Sequence, residues 1–179
     1  PVATPTMAMT AAPAPTQAPA ATACKVTLTP AQTEGPYYLA GAPMKASLVE
    51  AGMAGTRVLL TGRVITSQCA PVAGAIVDVW QADDAGAYDL KGYRLRGKVT
   101  ADAQGTYAIE TILPGLYPGR TRHIHVKISI PGGATVTTQV YFPNENANKT
   151  DGIFDAAMLA KMSDGAGGAK VATIDFVLK

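Results

Sequence analysis

The two histidines of the chain are separated by a single residue, as His123-Ile124-His125. In an extended strand, side chains at positions i and i+2 point to the same face of the sheet. Both imidazoles are therefore expected to converge on one side of the strand, where they could hold a metal ion from two points. The same spacing also fits two polar residues on a solvated strand face, and the pair alone leaves both interpretations open.

The chain offers few other nitrogen or sulfur ligands for a metal. The lack of a third histidine excludes a three-histidine zinc site and a copper–zinc superoxide dismutase site, and Cys24 and Cys69 are too few and too distant for a thiolate cluster. An iron(II) site of the two-histidine, one-carboxylate type usually has its carboxylate two residues after the first histidine, where this chain has His125. The donors that remain are the oxygens of Asp, Glu and Tyr.

Two tyrosines stand near this pair or near a predicted strand end. Tyr117 comes six residues before His123, and Tyr88 follows a predicted strand in the run Asp83-Asp84-Ala85-Gly86-Ala87-Tyr88. A tyrosine has a pKa of about 10, so holding it as a phenolate at pH 7 costs about 4 kcal/mol. A hard trivalent ion such as iron(III) could supply that stabilisation. Ordinary packing is the alternative for either tyrosine, and spacing alone does not exclude it.

The segments around these residues predict an all-β fold. Short stretches rich in β-branched residues alternate with Gly, Pro, Asp and Asn turns, which is typical of an antiparallel β-sandwich or barrel. The sandwich is preferred, with one or two short helices, one of them at about 155–162. Trp80 is expected in the core. The predicted strands are 56–67, 74–82, 105–112, 123–130, 135–142 and 171–178.

Composition predicts one globular domain of about 24–179 behind an N-terminal tail. The chain has 179 residues, 47% of them hydrophobic and 16% charged. Residues 1–23 carry no charged side chain and are mostly Ala, Pro and Thr, which favours a flexible tail. Lys and Arg are scattered and the formal net charge is +2, unlike a nucleic-acid binder. No stretch has the roughly 20 apolar residues of a membrane span.

The two cysteines bear on whether the protein is cytoplasmic or exported. Cys24 and Cys69 are either free thiols or a disulfide that ties the start of the domain to the sandwich. A disulfide would favour an exported protein, periplasmic or secreted, over a cytoplasmic one. The sequence begins at Pro1 and shows no signal peptide as written, which is compatible with one having been removed.

From residue 33 to residue 154 the sequence resembles the intradiol ring-cleavage dioxygenases, the protocatechuate and catechol dioxygenase family. Each motif is weak alone, but their order and spacing together are highly specific. The strongest is Pro114-Gly115-Leu116-Tyr117-Pro118 followed by Arg120-Thr121-Arg122-His123-Ile124-His125. The others are Thr33-Glu34-Gly35-Pro36-Tyr37-Tyr38, residues 71–83, Gly86-Ala87-Tyr88, Leu95-Arg96-Gly97, residues 100–107 and residues 137–142.

The resemblance implies a set of site residues. The implied ligands of an iron(III) ion, beside a solvent molecule, are Tyr88, Tyr117, His123 and His125, with Tyr117 as the tyrosine that leaves when substrate binds. The implied substrate contacts are Arg120, Gln139, Gly35, Pro36 and Tyr37. The loop between Tyr117 and Arg120 is shorter than in larger family members, so Arg122 is an alternative to Arg120. Arg94 and Arg96 are candidates for binding a substrate carboxylate.

The resemblance also implies an activity. Such an enzyme cleaves catechol-type ortho-diphenols between the two hydroxyl-bearing carbons with O2 and gives muconate-type diacids. The partners are therefore an aromatic ortho-diol and O2; the particular diol and the oligomeric state stay open. The alternative is a transthyretin-like sandwich that binds without catalysis, since such folds share the Gly-x-x-Val-x-Val and Gly-x-Tyr patterns at 74–79 and 105–107. A structural cell-envelope domain is a third interpretation.

Overall fold

A computed structural model describes residues 24–179, so the predicted tail, 1–23, lies outside the described residues. The regular secondary structure of the described chain is mostly β-strand, and none of its helices is long and apolar enough to cross a bilayer. The strands are β1 Arg57–Thr66, β2 Ile76–Trp80, β3 Arg96–Thr100, β4 Thr106–Ile112, β5 His123–Ser129, β6 Thr135–Tyr141, β7 Lys161–Asp164, β8 Lys170–Thr173 and β9 Phe176–Leu178. Three 3-10 helices cover Asn146–Lys149, Ala156–Met158 and Ala166–Gly168.

Two sheets form the predicted β-sandwich. The first has the order β4-β1-β8-β7, with β9 also pairing with β1, and the second has the order β3-β2-β5-β6. Alternate residues of β1, β2 and β5 face the space between the sheets, because successive side chains of a strand point to opposite faces. Leu60 and Val64 from the first sheet and Val77, Ile124 and Val126 from the second are almost completely buried there. The fold class predicted from the sequence is thereby confirmed.

The end of the chain departs from a purely antiparallel arrangement. Both β8 and β9 pair with β1 in parallel, and the single strand predicted at 171–178 is broken between them. The break lies opposite Gly62, where a Cβ atom would stand only 1.8 Å from the carbonyl oxygen of Ile174. Glycine at position 62 therefore lets the chain cross β1 at close range and resume pairing beyond it.

The helix predicted at about 155–162 is wrong. Only Ala156–Met158 makes a helical turn, capped by the side chain of Asp155, which accepts a hydrogen bond from the Ala157 amide at 2.9 Å. The Ala160 amide then donates to the carbonyl of Tyr141 at 2.9 Å, and the chain continues as β7. Pairing with the sandwich overrides the helix propensity of these residues.

The segment before β1 runs across the molecule and is tied at its start. Cys24 and Cys69 form a disulfide with Cα atoms 5.8 Å apart, so the interpretation as free thiols is wrong. The Thr29 amide then bonds the carbonyl of Val177, and the Gln32 amide bonds the carbonyl of Thr137 on β6. These contacts place residues 33–38 on the outer face of the second sheet.

Replacing both cysteines, as Cys24→Ser/Cys69→Ser, is expected to lower the free energy of unfolding by about 2–4 kcal/mol, because the bond joins positions 45 residues apart. Denaturant unfolding of the variant and the wild type measures the difference. The reduced wild-type protein is the control and should lose the same amount. A loss below about 1 kcal/mol in both would mean that the hydrogen bonds of Thr29 and Gln32 hold the segment without the disulfide.

Candidate metal centre

The candidate site lies on the outer face of the second sheet, where strand register brings polar side chains together. Residues directly opposite each other in an antiparallel pair project from the same face. His125 is opposite Trp80 on β2 and Gln139 on β6, and Trp80 is in turn opposite Arg96 on β3. His123 is opposite Tyr141. The convergence of the two histidines predicted from their spacing is confirmed, with ring centroids 4.8 Å apart.

Each imidazole is buried, neutral and available as a nitrogen donor. Nδ1 of His123 lies 2.7 Å from the carbonyl oxygen of Thr121, so it carries the proton and leaves the lone pair of Nε2 free. His125 has no hydrogen-bond partner at Nδ1 within the described chain, and its ring stacks on Trp80 at 4.9 Å. Burial lowers the pKa of His123 to about 4 and that of His125 to about 2. Trp80 is buried as expected, but against the candidate ligand rather than between the sheets.

Tyr88 reaches the histidines from the loop after β2. Its hydroxyl oxygen lies 3.4 Å from Nε2 of His123. The turn that carries it is fixed by the side chain of Asp83, which accepts hydrogen bonds from the amides of Ala85 and Ala87 at 3.0 and 2.9 Å. Burial raises the pKa of Tyr88 well above its usual range, so the phenolate requires a strong positive charge beside it.

Tyr117 comes from a second loop, which touches the first through glycine. A Cβ atom on Gly86 would stand 2.1 Å from the carbonyl oxygen of Leu116, and one on Gly115 would stand 2.4 Å from that of Asp84. The Gly115 amide also donates to the carbonyl of Asp83 at 2.6 Å. The two tyrosine-bearing loops therefore pack backbone to backbone, which places the rings of Tyr88 and Tyr117 6.2 Å apart.

The segment with Gly35, Pro36 and Tyr37 covers this group. A Cβ atom on Gly35 would lie 3.4 Å from the His125 ring, while Pro36 is exposed. The hydroxyl of Tyr37 hydrogen-bonds that of Tyr117 at 2.9 Å, and its ring stacks on Tyr88 at 4.5 Å.

The arginines near the site have separate partners. Arg120 donates to Gln139 Oε1 at 2.5 Å and to Asp151 Oδ2 at 2.9 Å. Arg122 turns away, donating to the carbonyl of Pro114 and pairing with Glu145 at 3.0 Å. Arg120, and not its alternative Arg122, therefore lies beside Gln139.

The two candidates for binding a substrate carboxylate are both occupied. Arg96 is fully buried and donates to the carbonyls of Tyr37 at 2.6 Å and Asp89 at 2.7 Å. It thus joins the Tyr37 segment to the residue after Tyr88. Arg94 pairs with Asp83 at 3.0 Å. Arg96 therefore has no exposed face for a ligand, whereas Arg94 contacts Asp83 through Nη1 and its side chain is 41% exposed.

Comparison with known proteins identifies the group to which this arrangement belongs. A family model described as Dioxygenase matches residues 33–178. The chain belongs to the intradiol ring-cleavage dioxygenase family. A chlorocatechol 1,2-dioxygenase of Pseudomonas sp. (strain P51) is 33% identical over 82% of this chain and 68% of its own.

Solved structures of the family share the fold. The dioxygenase domain of a dioxygenase carbohydrate-binding protein fusion from Streptomyces sp. SirexAA-E is 46% identical, with a TM-score of 0.82 over 86% of this chain and 99% of its own. An intradiol ring-cleavage dioxygenase from Tetranychus urticae is 25% identical, with a TM-score of 0.76 over 85% of this chain and 94% of its own. The chain spans only about half the length of several other curated relatives that it matches.

The donors in this member of the intradiol family fit an iron(III) ion. Two neutral imidazoles lie beside the Tyr88 hydroxyl, and the Tyr117 ring lies 6.2 Å from that of Tyr88; nitrogen and phenol oxygen donors of this kind suit a hard, highly charged cation. In residues 24–179 no group of three or more His, Cys, Asp or Glu side chains comes together, so no carboxylate-rich or thiolate-rich site competes. The ion would also provide the charge that ionises the buried Tyr88.

Three residues that sequence reasoning missed or misjudged support the site. Asp151 binds Arg120, Arg96 joins two loops, and Trp80 stacks on His125. Asp151 stands in a polar stretch, Asn144–Gly152, that reads as an ordinary loop, so its only sequence signal is a charged residue whose partner is distant. For Trp80, the alternation along β2 already places it on the face of Asp78 rather than with Val77 and Val79.

Proposed function

We propose that this chain is a non-haem iron(III) dioxygenase that cleaves ortho-diphenols between the two hydroxyl-bearing carbons. Both atoms of O2 enter the product, a muconate-type diacid. The observation that carries the proposal is that the Tyr88 hydroxyl lies 3.4 Å from Nε2 of His123, with the His125 ring 4.8 Å from that of His123 and the Tyr117 ring 6.2 Å from that of Tyr88. The names of the relatives, among them chlorocatechol, hydroxyquinol and catechol 1,2-dioxygenases, support it.

The four residues would hold the metal with imidazole nitrogens and phenolate oxygens. Iron(III), when bound, would supply a Lewis acid for the diol and an electron acceptor that makes the ring reactive toward O2. The hydrogen bond from Nδ1 of His123 to Thr121 fixes its ligand nitrogen. The stacking of His125 on Trp80 fixes the plane of its ring.

The chain's own residues handle protons and charge. Tyr117 is the internal base: its phenolate oxygen takes one proton from a substrate hydroxyl as the diol binds. Tyr37, hydrogen-bonded to the Tyr117 hydroxyl at 2.9 Å, then holds the resulting phenol clear of the bound diol. Arg120 places a positive guanidinium beside Gln139, where it stabilises negative charge that develops on the ring.

A transthyretin-like binding sandwich is not favoured. A module without catalysis has no reason to bury two neutral imidazoles beside two tyrosines and to leave one imidazole nitrogen unpaired, since burying a polar group without a partner costs free energy. The His125 Nδ1 atom is buried and unpaired, and Nε2 of His123 faces only the Tyr88 hydroxyl. This arrangement is understandable for side chains that serve a ligand.

The surroundings of the site favour an uncharged diol. A cavity of about 370 Å³ reaches Tyr117 and Arg120. Arg120 is the one cation on its wall within the described residues, and its N–H groups are already engaged by Asp151 and Gln139. A substrate carboxylate would therefore find no free positive partner there. The remaining lining residues carry no charge: Leu116, Pro118, Gly119, Ala147 and Thr150.

Oxygen uptake with catechol, 4-methylcatechol and 3,4-dihydroxybenzoate tests both the reaction and this preference. We expect kcat/KM for 4-methylcatechol to exceed that for the benzoate about tenfold, since a hydrogen bond to a charged group contributes about 1.5 kcal/mol or more. Mass spectrometry with 18O2 should find both labelled atoms in a ring-opened diacid. Oxygen uptake without ring opening would contradict the reaction.

A matched pair of variants isolates the charge effect. Leu116 is exposed on the cavity wall, so Leu116→Arg adds a cation there and Leu116→Gln adds a polar group without charge. We expect only Leu116→Arg to raise kcat/KM for the benzoate relative to 4-methylcatechol. Equal rates for both substrates in the wild type, with no effect of the arginine, would contradict the preference while leaving the reaction intact.

We also propose that the protein works outside the cytoplasm, in a periplasmic or secreted setting. The Cys24–Cys69 disulfide supports this, because such bonds form and persist in oxidising compartments.

A further inference from the structure

We propose that Asp151 is a positioning residue. It fixes the orientation of the active-site Arg120 and, through Thr121, the tautomer of the metal-binding His123. The inference rests on the proposed function. The carboxylate stands outside the ligand set, on the loop after the 3-10 helix Asn146–Lys149, and its side chain is only 1% exposed. It meets the site through three hydrogen bonds, each made to a different group.

One carboxylate oxygen binds the arginine and the backbone that leads to the histidine. Oδ2 of Asp151 accepts from Nε of Arg120 and from the amide of Thr121, both at 2.9 Å. The Nε bond leaves Nη2 of the guanidinium free to donate to Gln139 at 2.5 Å. Asp151 therefore fixes the plane of the guanidinium, and Gln139 accepts the hydrogen bond from its outer nitrogen, Nη2.

The same oxygen acts on His123 through one residue, Thr121. The amide of Thr121 is held by Asp151, and the carbonyl of Thr121 accepts from Nδ1 of His123 at 2.7 Å. The hydroxyl of Thr121 is held as well, donating to Asn148 Oδ1 at 2.5 Å. With Thr121 held at its amide and at its hydroxyl, its carbonyl keeps the proton on Nδ1 and turns Nε2 toward Tyr88.

The second carboxylate oxygen anchors the loop itself. Oδ1 of Asp151 accepts from the amide of Ile153 at 3.1 Å, and the carbonyl of Ile153 accepts from the hydroxyl of Tyr141 at 2.9 Å. Tyr141 is buried on β6 opposite His123. The loop is thus fastened to the strand pair that carries the histidine, so Asp151 is held rigidly relative to the metal centre.

A shape-preserving variant separates positioning from folding. Asp151→Asn keeps the size of the side chain but removes its charge and turns one of its two acceptor oxygens into an NH2 donor, so it must lose either the Ile153 contact or both Oδ2 contacts. In the iron-loaded protein we expect kcat for catechol to fall about 10- to 100-fold, and iron loss to a chelator to quicken by a similar factor. The melting temperature should change far less than in Asp151→Ala.

The matched control is Glu145→Gln. Glu145 lies on the same part of the chain and pairs with an arginine, Arg122, that turns away from the site. The control also removes one carboxylate and one ion pair, and it should leave kcat and the rate of iron loss unchanged. A merely structural role for Asp151 predicts lower melting temperatures with both rates unaltered.

The result that would overturn the proposal is an Asp151→Asn protein with wild-type kcat and wild-type iron retention. Equal losses in Asp151→Asn and Glu145→Gln would overturn it too, because the effect would then follow charge and not position. If the wild-type protein cleaves no diol, the proposed function fails, and the chelator experiment alone still decides whether Asp151 supports the metal ligands.

Discussion

Replacing His123 with alanine is expected to remove bound iron and to lower ring cleavage at least about 10³-fold, because ligands of one metal act as a unit. Its free Nε2 is one of two imidazole nitrogens at the site, and the chain has no third histidine to replace it. Iron analysis of the purified variant and oxygen uptake with catechol measure the two effects. The fold should persist, since His123 does not belong to the hydrophobic core cluster.

Lys127→Gln is the control for this experiment. Lys127 lies on the same strand and the same face as the histidines, two residues beyond His125, but it pairs with Glu34 and lies over the Tyr38 ring. This variant should keep its iron and most of its activity. If His123→Ala retained wild-type iron content, or if Lys127→Gln lost iron to the same extent, the assignment of the ligands would be wrong.

Replacing Tyr117 with phenylalanine is expected to slow turnover about 10²-fold, the usual contribution of a positioned proton acceptor. Three ligands remain, so the variant should keep iron, but its visible spectrum should change because one of two phenolates is lost. Stopped-flow mixing with catechol under anaerobic conditions measures substrate binding directly. The decrease in rate should appear in this binding step, because the substrate gives up its protons there.

Tyr37→Phe provides the comparison for that variant. It removes the hydroxyl that bonds Tyr117 at 2.9 Å but leaves the ring that stacks on Tyr88. Its spectrum should stay close to that of the wild type, with a smaller loss in rate. Unchanged binding kinetics in Tyr117→Phe would remove Tyr117 from the proton transfer.

Local sequence predicts those parts of the fold in which the side chains alone determine the structure. The strands β1, β4, β5 and β6 have alternating or β-branched sequences, and each was expected within one or two residues. By contrast, β3 and β7 read Arg-Gly-Lys-Val-Thr and Lys-Met-Ser-Asp, which carry no strand pattern. They are strands because β2 and β8 offer them backbone partners, and that information lies elsewhere in the chain.

In the candidate site, too, some features follow from local sequence and others depend on distant parts of the chain. The convergence of His123 and His125 follows from strand geometry and needs only two neighbouring positions. The meeting of Tyr88 with Tyr117 depends on backbone contact between Gly86 and the Leu116–Tyr117 peptide, 30 residues apart, and was inferred only through the family resemblance. Asp151 was missed because its partners, Arg120 and Thr121, are about as distant in sequence.

Iron content together with the visible spectrum of the purified, full-length protein tests the central proposal most directly. Two tyrosinates on a ferric ion predict one iron per chain and a burgundy colour, which should shift when catechol is added without oxygen. A preparation that is colourless and iron-free, and that stays colourless after iron(III) is supplied under mild reconstitution, would contradict the proposal that these tyrosines and histidines form an iron centre.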